Sequence, residues 1–456
     1  MITRLRTGAA ALTLGLLTAA CGNAATTADG VIDYWLWDSG QQPGYQQCAD
    51  AFQKQNPGLT VRITQNGWDT YWSKITAGFI ADTAPDVFTD HLAKFAQYVD
   101  LNVLLPLDDL AATSDIQDSD YQEGLAELWK GQDGKRYGVP KDWDTVAIFY
   151  DRAAVKEAGI SESDMQSLSW NLVDGGTFEK AVAHLTIDAN GVRGDEPGFD
   201  KNNVRIHGLS SEGSGGGGWG QTQWSAFTGS TGWTVTDKNP WGTRFNLDQP
   251  VFQDTLSWYF GLAEKGFMPT YAEMGGANPI GTDKQIQSGI AAMGISGSWM
   301  VSTFSKLTDA SGTKLDVGIA PTPTGPTGKR ASMFNGLADS VTSLSDQPED
   351  AAKWVKFMSG AECQNMIADS GVVFPARPAA TERAIAYNQR ERDLDVTPFT
   401  NQVVDKTTFL FPVTTNAADI TALLQPRLDA VYIGEEPVSS LTGLNNQLNA
   451  LFEVAQ

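Results

Sequence analysis

The stretch VIDYWLWDSGQQPGYQQCADAFQKQNPGLTVRITQNG, residues 31–67, decides the fold class. Its opening, VIDYWLW, is a near-continuous apolar run with aromatics, the pattern of a buried strand. GYQQCADAFQKQNPG (44–58) then spaces Tyr45, Cys48 and Phe52 at helical intervals and stops at Asn56-Pro57-Gly58. LTVRITQNG (59–67) alternates like a strand. The rhythm continues with a helix in TYWSKITAGFIAD (70–82), a short strand in PDVFTD (85–90) and a helix in AKFAQYVDLN (93–102). This β-α-β-α-β succession predicts an α/β fold, a parallel sheet with helices on its faces. Ligands of such sheets bind beyond the carboxyl ends of the strands. Here that names Trp37, Asp38, Trp68, Asp90 and His91.

Toward the amino end, Arg4 and Arg6 precede the apolar run ALTLGLLTAA (11–20), too short to span a bilayer. LLTAAC, ending at Cys21, resembles the lipobox of bacterial lipoproteins, with Thr18 where that motif usually has Leu. The resemblance implies a signal peptide over 1–20, lipidation of Cys21 and a small, polar tether over 21–30. A plain secretory signal with a chance cysteine is the alternative. Losing residues 1–20 takes the net charge from −22 to −24. The body is then an acidic domain, lipid-anchored on the outer side of the cell membrane. Strong acidity without a basic run argues against nucleic acid and anionic lipid as partners, and disfavours an anionic ligand.

Cys48 and Cys363 remain, each in a helical pattern. In an exported chain an even pair suggests a disulfide; two buried free thiols are the other possibility. A bridge would join residues more than 300 apart. The 436 residues from Cys21 onward exceed one ordinary core, so two lobes are expected.

Toward the carboxyl end, GVPKDWDTVAIFYD (138–151) reads as a strand entered through Lys141, Asp142, Trp143 and Asp144, an indole set between two carboxylates. RAAVKEAGI (152–160) and a capped SWNLVDGGTFEKAVAHLT (169–186) read as helices. The run 210–233 is rich in Gly and Ser and carries Trp219, Trp224 and Trp233. PVFQDTLSWYFGLAEKG (250–266) is an amphipathic helix. Strands follow around 286–299, 315–323 and 332–343, then a long helix or helix pair over 348–371.

The motifs of several chemistries are missing. His91, His184 and His207 are the three histidines, none at metal-ligand spacing, so no metal site or cofactor is expected. GPTGKR (325–330) lacks parts of a phosphate-binding loop, and no G-x-S-x-G elbow occurs. The acidic run 188–203 misses calcium-loop spacing and reads as a solvated turn. Tryptophan stands out instead, with fourteen residues. Trp35, Trp129, Trp258 and Trp354 fit core positions, whereas Trp37, Trp68, Trp143, Trp219, Trp224 and Trp299 sit beside Gly, Asp, Gln or Ser. An indole packs on the C–H face of a pyranose while Asp, Asn and Gln take its hydroxyls, which suits a neutral sugar.

AFQKQNPGLTV, GFIADTAPDVFTD, the Leu-Leu-Pro-Leu-Asp of 104–108, GVPKDWDTVAIFYDRAAVKEAGI, Trp170, AMGISGSW, NGLADSVTS, PEDAAKWVKFMSGAECQ and FPAR occur in order along the chain. With them the chain resembles the extracellular solute-binding proteins of ABC sugar importers, the family containing maltose-binding protein. The resemblance implies the two-lobed periplasmic-binding-protein fold with a ligand cleft. Lobe 1 would be 31–140 with 337–370, and lobe 2 144–333 with 374–456, joined by crossings at 141–143 and 334–336. Cys48 and Cys363 then share lobe 1. A neutral sugar, in particular an oligosaccharide, would lie between Trp37, Asp38, Trp68, Asp90 and His91 and the lobe 2 set Gln221, Trp224 and Trp299. Asp142, Trp143, Asp144 and Asn335 would floor the cleft. The resemblance further implies a monomer that closes on its ligand, docks on membrane permease subunits and catalyses nothing. A lipid-anchored glycosidase, or a binder of a metabolite such as a glycerophosphodiester, are the alternatives.

Overall fold

The computed structural model describes residues 30–274, 276 and 279–454. The expected signal peptide, Cys21 and nearly all of the expected tether lie outside them. Among the described residues twelve strands are β1 (Val31–Leu36), β2 (Thr60–Gln65), β3 (Val87–His91), β4 (Val139–Asp144), β5 (Val146–Asp151), β6 (Ile187–Asp188), β7 (Val204–Leu209), β8 (Ala291–Gly297), β9 (Val317–Ala320), β10 (Ser332–Val341), β11 (Phe374–Pro375) and β12 (Thr408–Leu410). They form two sheets. The first has the order β11-β4-β10-β3-β1-β2, with β12 beside the start of β10; the second has β6-β7-β8-β5-β9. β1 runs parallel to β2 and β3, as the β-α-β rhythm requires, while β10 runs antiparallel to both its neighbours, β3 and β4.

The chain passes from one sheet to the other within three residues. Asp144 ends β4 in the first sheet, and Val146 starts β5 in the second. The crossing therefore falls at Asp144–Val146, just after the expected 141–143. The return runs from β9 to β10, where the Ser332 hydroxyl accepts the Val146 amide at 2.9 Å and ties the two crossings together. The expected start of lobe 2 at 374 needs correction: Phe374 and Pro375 pair with Trp143 and Asp142 in the first sheet.

Helices 42–55 and 361–368 pack on the first sheet and are joined by a Cys48–Cys363 disulfide, their Cα atoms 5.2 Å apart. The expected helix over 169–186 is shorter, Gly176–Leu185. Asn171 accepts the amides of Val173 and Asp174 through its side chain, and Gly175 and Gly176 take left-handed φ values, so the first half is a turn. The 348–371 pattern resolves into two helices broken at Gly360, whose extended ψ of 159° ends one and starts the next.

Candidate ligand-binding site

The carboxyl end of β1 delivers Trp37 and Asp38. The Asp38 carboxylate accepts the Gly40 amide at 2.7 Å and the Gln41 side-chain amide at 3.1 Å, turning the chain into helix 42–55. Trp37 stands edge-on to Trp68, with ring centres 5.1 Å apart, and is backed by Tyr71 and Trp72. Trp68 is the first residue of helix 68–80 and is 45% exposed.

His91 ends β3. Its Nδ1 accepts the Ala93 amide at 3.0 Å and caps helix 92–100. Nε2 faces the Asn335 carboxamide on β10 at 2.8 Å. Burial, with a smaller effect from Lys94, lowers its pKa to about 3, so the imidazole is neutral at physiological pH.

The strand period of two resolves the Asp-Trp-Asp of β4. Asp142 and Asp144 point to one face; Trp143 points to the other. Trp143 is 2% exposed, lies between Phe334 and Phe374 and donates its Nε1–H to the Thr381 hydroxyl at 3.2 Å. Its indole is core packing rather than the cleft-facing grip expected for it. Asp142 is also 2% exposed, and its Oδ2 has no hydrogen-bond partner. Burial raises its pKa to about 7, with Asp339 and Asp38 adding to the rise and Lys141 opposing it. Asp144 accepts the Gln221 side-chain amide at 2.7 Å, a contact from the Gly-rich run, and burial followed by Asp142 raises its pKa well above the usual range.

Behind this floor Lys141 is 1% exposed. Its Nζ donates to the Tyr34 and Thr89 hydroxyls at 3.0 and 2.9 Å, and both hydroxyls donate on to Asp339. The ammonium also sits over the Tyr45 ring at 4.1 Å. A buried cation and anion are tolerable with such a network around them.

The second sheet contributes Trp299 from the turn after β8. Its ring lies on Gly297, where a Cβ would come within 1.8 Å of the indole, so only glycine permits this placement. Ser298 beside it is 3% exposed, and its Oγ has no partner.

These pieces enclose a cavity of about 520 Å³. Ten of the twelve expected ligand-site residues line it: Trp37, Asp38, Trp68, His91, Asp142, Trp143, Asp144, Gln221, Trp299 and Asn335. Two do not. Asp90 is fully buried beneath the strand end, where its carboxylate accepts the His91 amide at 2.7 Å; burial raises its pKa to about 8. Trp224 is 1% exposed, donates its Nε1–H to the Ser214 carbonyl at 2.8 Å and packs on Phe252. Trp219, the other indole of that run, stacks on Phe245 in the core.

The cavity also has walls the sequence reading missed: Gln41, Ser298, Thr303, Leu337, Val373 and Phe411. Gln41 follows β1 at its carboxyl end, so position alone pointed to it. Val373 and Phe411 arrive from the far end of the chain with no local signal. A neighbouring cavity of about 530 Å³ runs on along the Gly-rich run and shares Gly217, Gly218, Gln221, Trp299 and Met300 with the first. In the acidic run, the Asp188 carboxylate is taken by the amides of Asn190, Val192 and Asp200.

The family model described as bacterial extracellular solute-binding protein matches residues 38–365. The lactose-binding protein of Rhizobium radiobacter is 26% identical over 193 residues, 41% of this chain. That match spans 44% of its length, so the chain matches less than half of this relative. Among solved structures, UspC of Mycobacterium tuberculosis superposes with a TM-score of 0.69 at 24% identity, over 93% of this chain and 100% of the other. An ABC substrate-binding protein of Listeria monocytogenes, solved in complex with cycloalternan, gives 0.74 at 19% identity, over 93% and 99%. At such identities these likenesses concern the fold, two-lobed and mixed α/β.

Proposed function

Because the chain belongs to the bacterial extracellular solute-binding proteins of ABC transporters, we propose that it captures a neutral sugar, in particular an oligosaccharide, and hands it to an ABC importer. The observation that carries this reading is one cavity in which three exposed or half-exposed indoles, Trp37, Trp68 and Trp299, meet Asp38, Asp142, Asp144, Gln221 and Asn335. Flat apolar faces with hydroxyl-binding groups at their edges are what a pyranose needs. The adjoining second cavity supports a ligand longer than one ring. Among the described residues no Lys or Arg lines the first cavity, which disfavours a glycerophosphodiester. Ligand contacts from both sheets would favour a closed arrangement by their differential affinity for it. The protein acts as a monomer and performs no covalent chemistry on its sugar.

A thermal-shift screen tests this, led by lactose, cycloalternan and linear gluco- and manno-oligosaccharides, with glycerophosphocholine as the contrasting ligand. A bound sugar at about 100 times its dissociation constant adds roughly 2.7 kcal/mol of stability. Stabilisation by glycerophosphocholine alone contradicts the reading, and cleavage products from a bound oligosaccharide would favour a glycosidase. Anchoring is the second half of the proposal. No helix among the described residues is long and apolar enough to cross a membrane, and the lipobox-like LLTAAC supports a lipid on Cys21. Cys21→Ser is expected to move the protein from the membrane fraction to the medium; unchanged retention contradicts the anchor.

A further inference from the structure

We propose that Gln425 and Asp429 are positioning residues that set how long a sugar the site holds, by fixing the glycine run 213–218 as the wall of the second cavity. The proposal rests on the sugar-binding reading above and narrows it. The second cavity continues from the first past Trp299 and Met300 and is as large, about 530 Å³, so a chain that fills the first has room to run on. Its walls differ in kind. Among its described lining residues Tyr271 is the one aromatic ring beyond the shared Trp299. Most of the rest are polar side chains and the main chain of Gly213, Gly215, Gly217 and Gly218. Where the wall has no side chains, sugar hydroxyls can come close to peptide groups.

A glycine run does not keep one shape unaided, because glycine loses more conformational freedom on ordering than any other residue. Helix Ala417–Tyr432 holds this one, across 208 residues of sequence between Gly217 and Gln425. Gln425 Oε1 accepts the Gly217 amide, and its Nε2 donates to the Ser214 hydroxyl at 3.0 Å and to Asp429 Oδ1 at 2.7 Å. The Ser214 hydroxyl donates to the same Asp429 oxygen at 2.5 Å. Both ends of the Gln425 carboxamide are thus used within the protein, so it acts through the run rather than on the ligand. The run lies directly on the helix: a Cβ on Gly216 would come within 2.7 Å of the Gln425 Cα. Trp224 holds the run as well. Its Nε1–H takes the Ser214 carbonyl at 2.8 Å, and Gly220, with a φ of +67°, passes so near that a Cβ would come within 2.3 Å of the indole. The indole kept out of the cavity is therefore a post around which its wall is wound.

Calorimetric titrations with malto-, cello- and manno-oligosaccharides of two to five rings test the proposal. In the parent, affinity within a series that binds is expected to rise on the order of tenfold from the shortest member to the longest, about what one or two added hydrogen bonds supply. Gln425→Ala and Asp429→Ala should lose that rise and keep the affinity for the shortest member. Asp429→Asn, whose Oδ1 still accepts from Ser214 and Gln425, should keep the rise. A merely structural role would weaken all lengths by the same factor, and that result overturns the proposal. So does a rise undiminished in both alanine variants, and so does its loss in Asp429→Asn, which would put the carboxylate on the ligand itself. Affinity independent of length in the parent also overturns it, and in each of these cases the sugar reading stands. If no sugar of any length binds, here or in the wider screen, both fall.

Discussion

At the scale of single residues, Asp142 is the most informative group. Its carboxyl has a pKa of about 7 in the folded protein, against about 4 in an unfolded chain. A raised acid holds its proton more tightly when folded. Its contribution is therefore complete below pH 4 and is lost as the pH climbs to about 7, after which the penalty is constant. Ligand-free protein is expected to lose melting temperature from this group between pH 4.5 and pH 8. In Asp142→Asn that loss should narrow, which differential scanning calorimetry at the two pH values measures; an unchanged gap contradicts the assignment. The same strand shows what was legible at this scale and what was not. Lys141, Asp142, Trp143 and Asp144 stood out as odd company for a strand, but their spacing also carried the answer. Alternation sends both acids to the cavity and the indole to Phe334 and Phe374. Trp224 looked like Trp299 in sequence, each beside small polar residues. Burial separates them, and burial depends on Phe252, which no local pattern announces.

At the scale of elements, apolar periodicity placed β1 to β3 and the helices between them within a few residues. It failed where side chains make turns. SWNLVDGG has helical apolar spacing, yet Asn171 and the left-handed pair Gly175 and Gly176 hold it as a turn. The disulfide was half legible. An even pair of cysteines in an exported chain suggested it, while the contact between helices 42–55 and 361–368 is a tertiary fact. Those helices flank β1 and the floor strands, so the bridge fixes the side of the site that carries Trp37 and Asp38. Cys363→Ser is expected to cost about 2–5 kcal/mol in denaturant unfolding, and intact-mass measurement of the parent should show two hydrogens fewer than the reduced chain. Two freely alkylated thiols in the native, oxidised protein would contradict the bridge.

At the scale of the whole molecule, two sheets joined through Asp144–Val146 and β10 set a cavity between them. The parallel sheet was readable from strand-helix alternation, and two lobes from length and resemblance. The return of the C-terminal segment to the first sheet was not. β11 pairs with β4, β12 with β10, and Phe411 lines the cavity against His91, all through contacts distant in sequence with no local mark. Hinge closure predicts that small-angle X-ray scattering gives a smaller radius of gyration with saturating sugar than without; equal radii contradict closure. The central claim is that sugar is gripped from both sheets at once. Calorimetric titration of Trp68→Ala from the first sheet and Trp299→Ala from the second, with a sugar found by screening, tests it most directly. The account predicts that each variant, folded as the parent, weakens binding by about 1–3 kcal/mol, since each removes a stacking face. Parental affinity in either folded variant would contradict it.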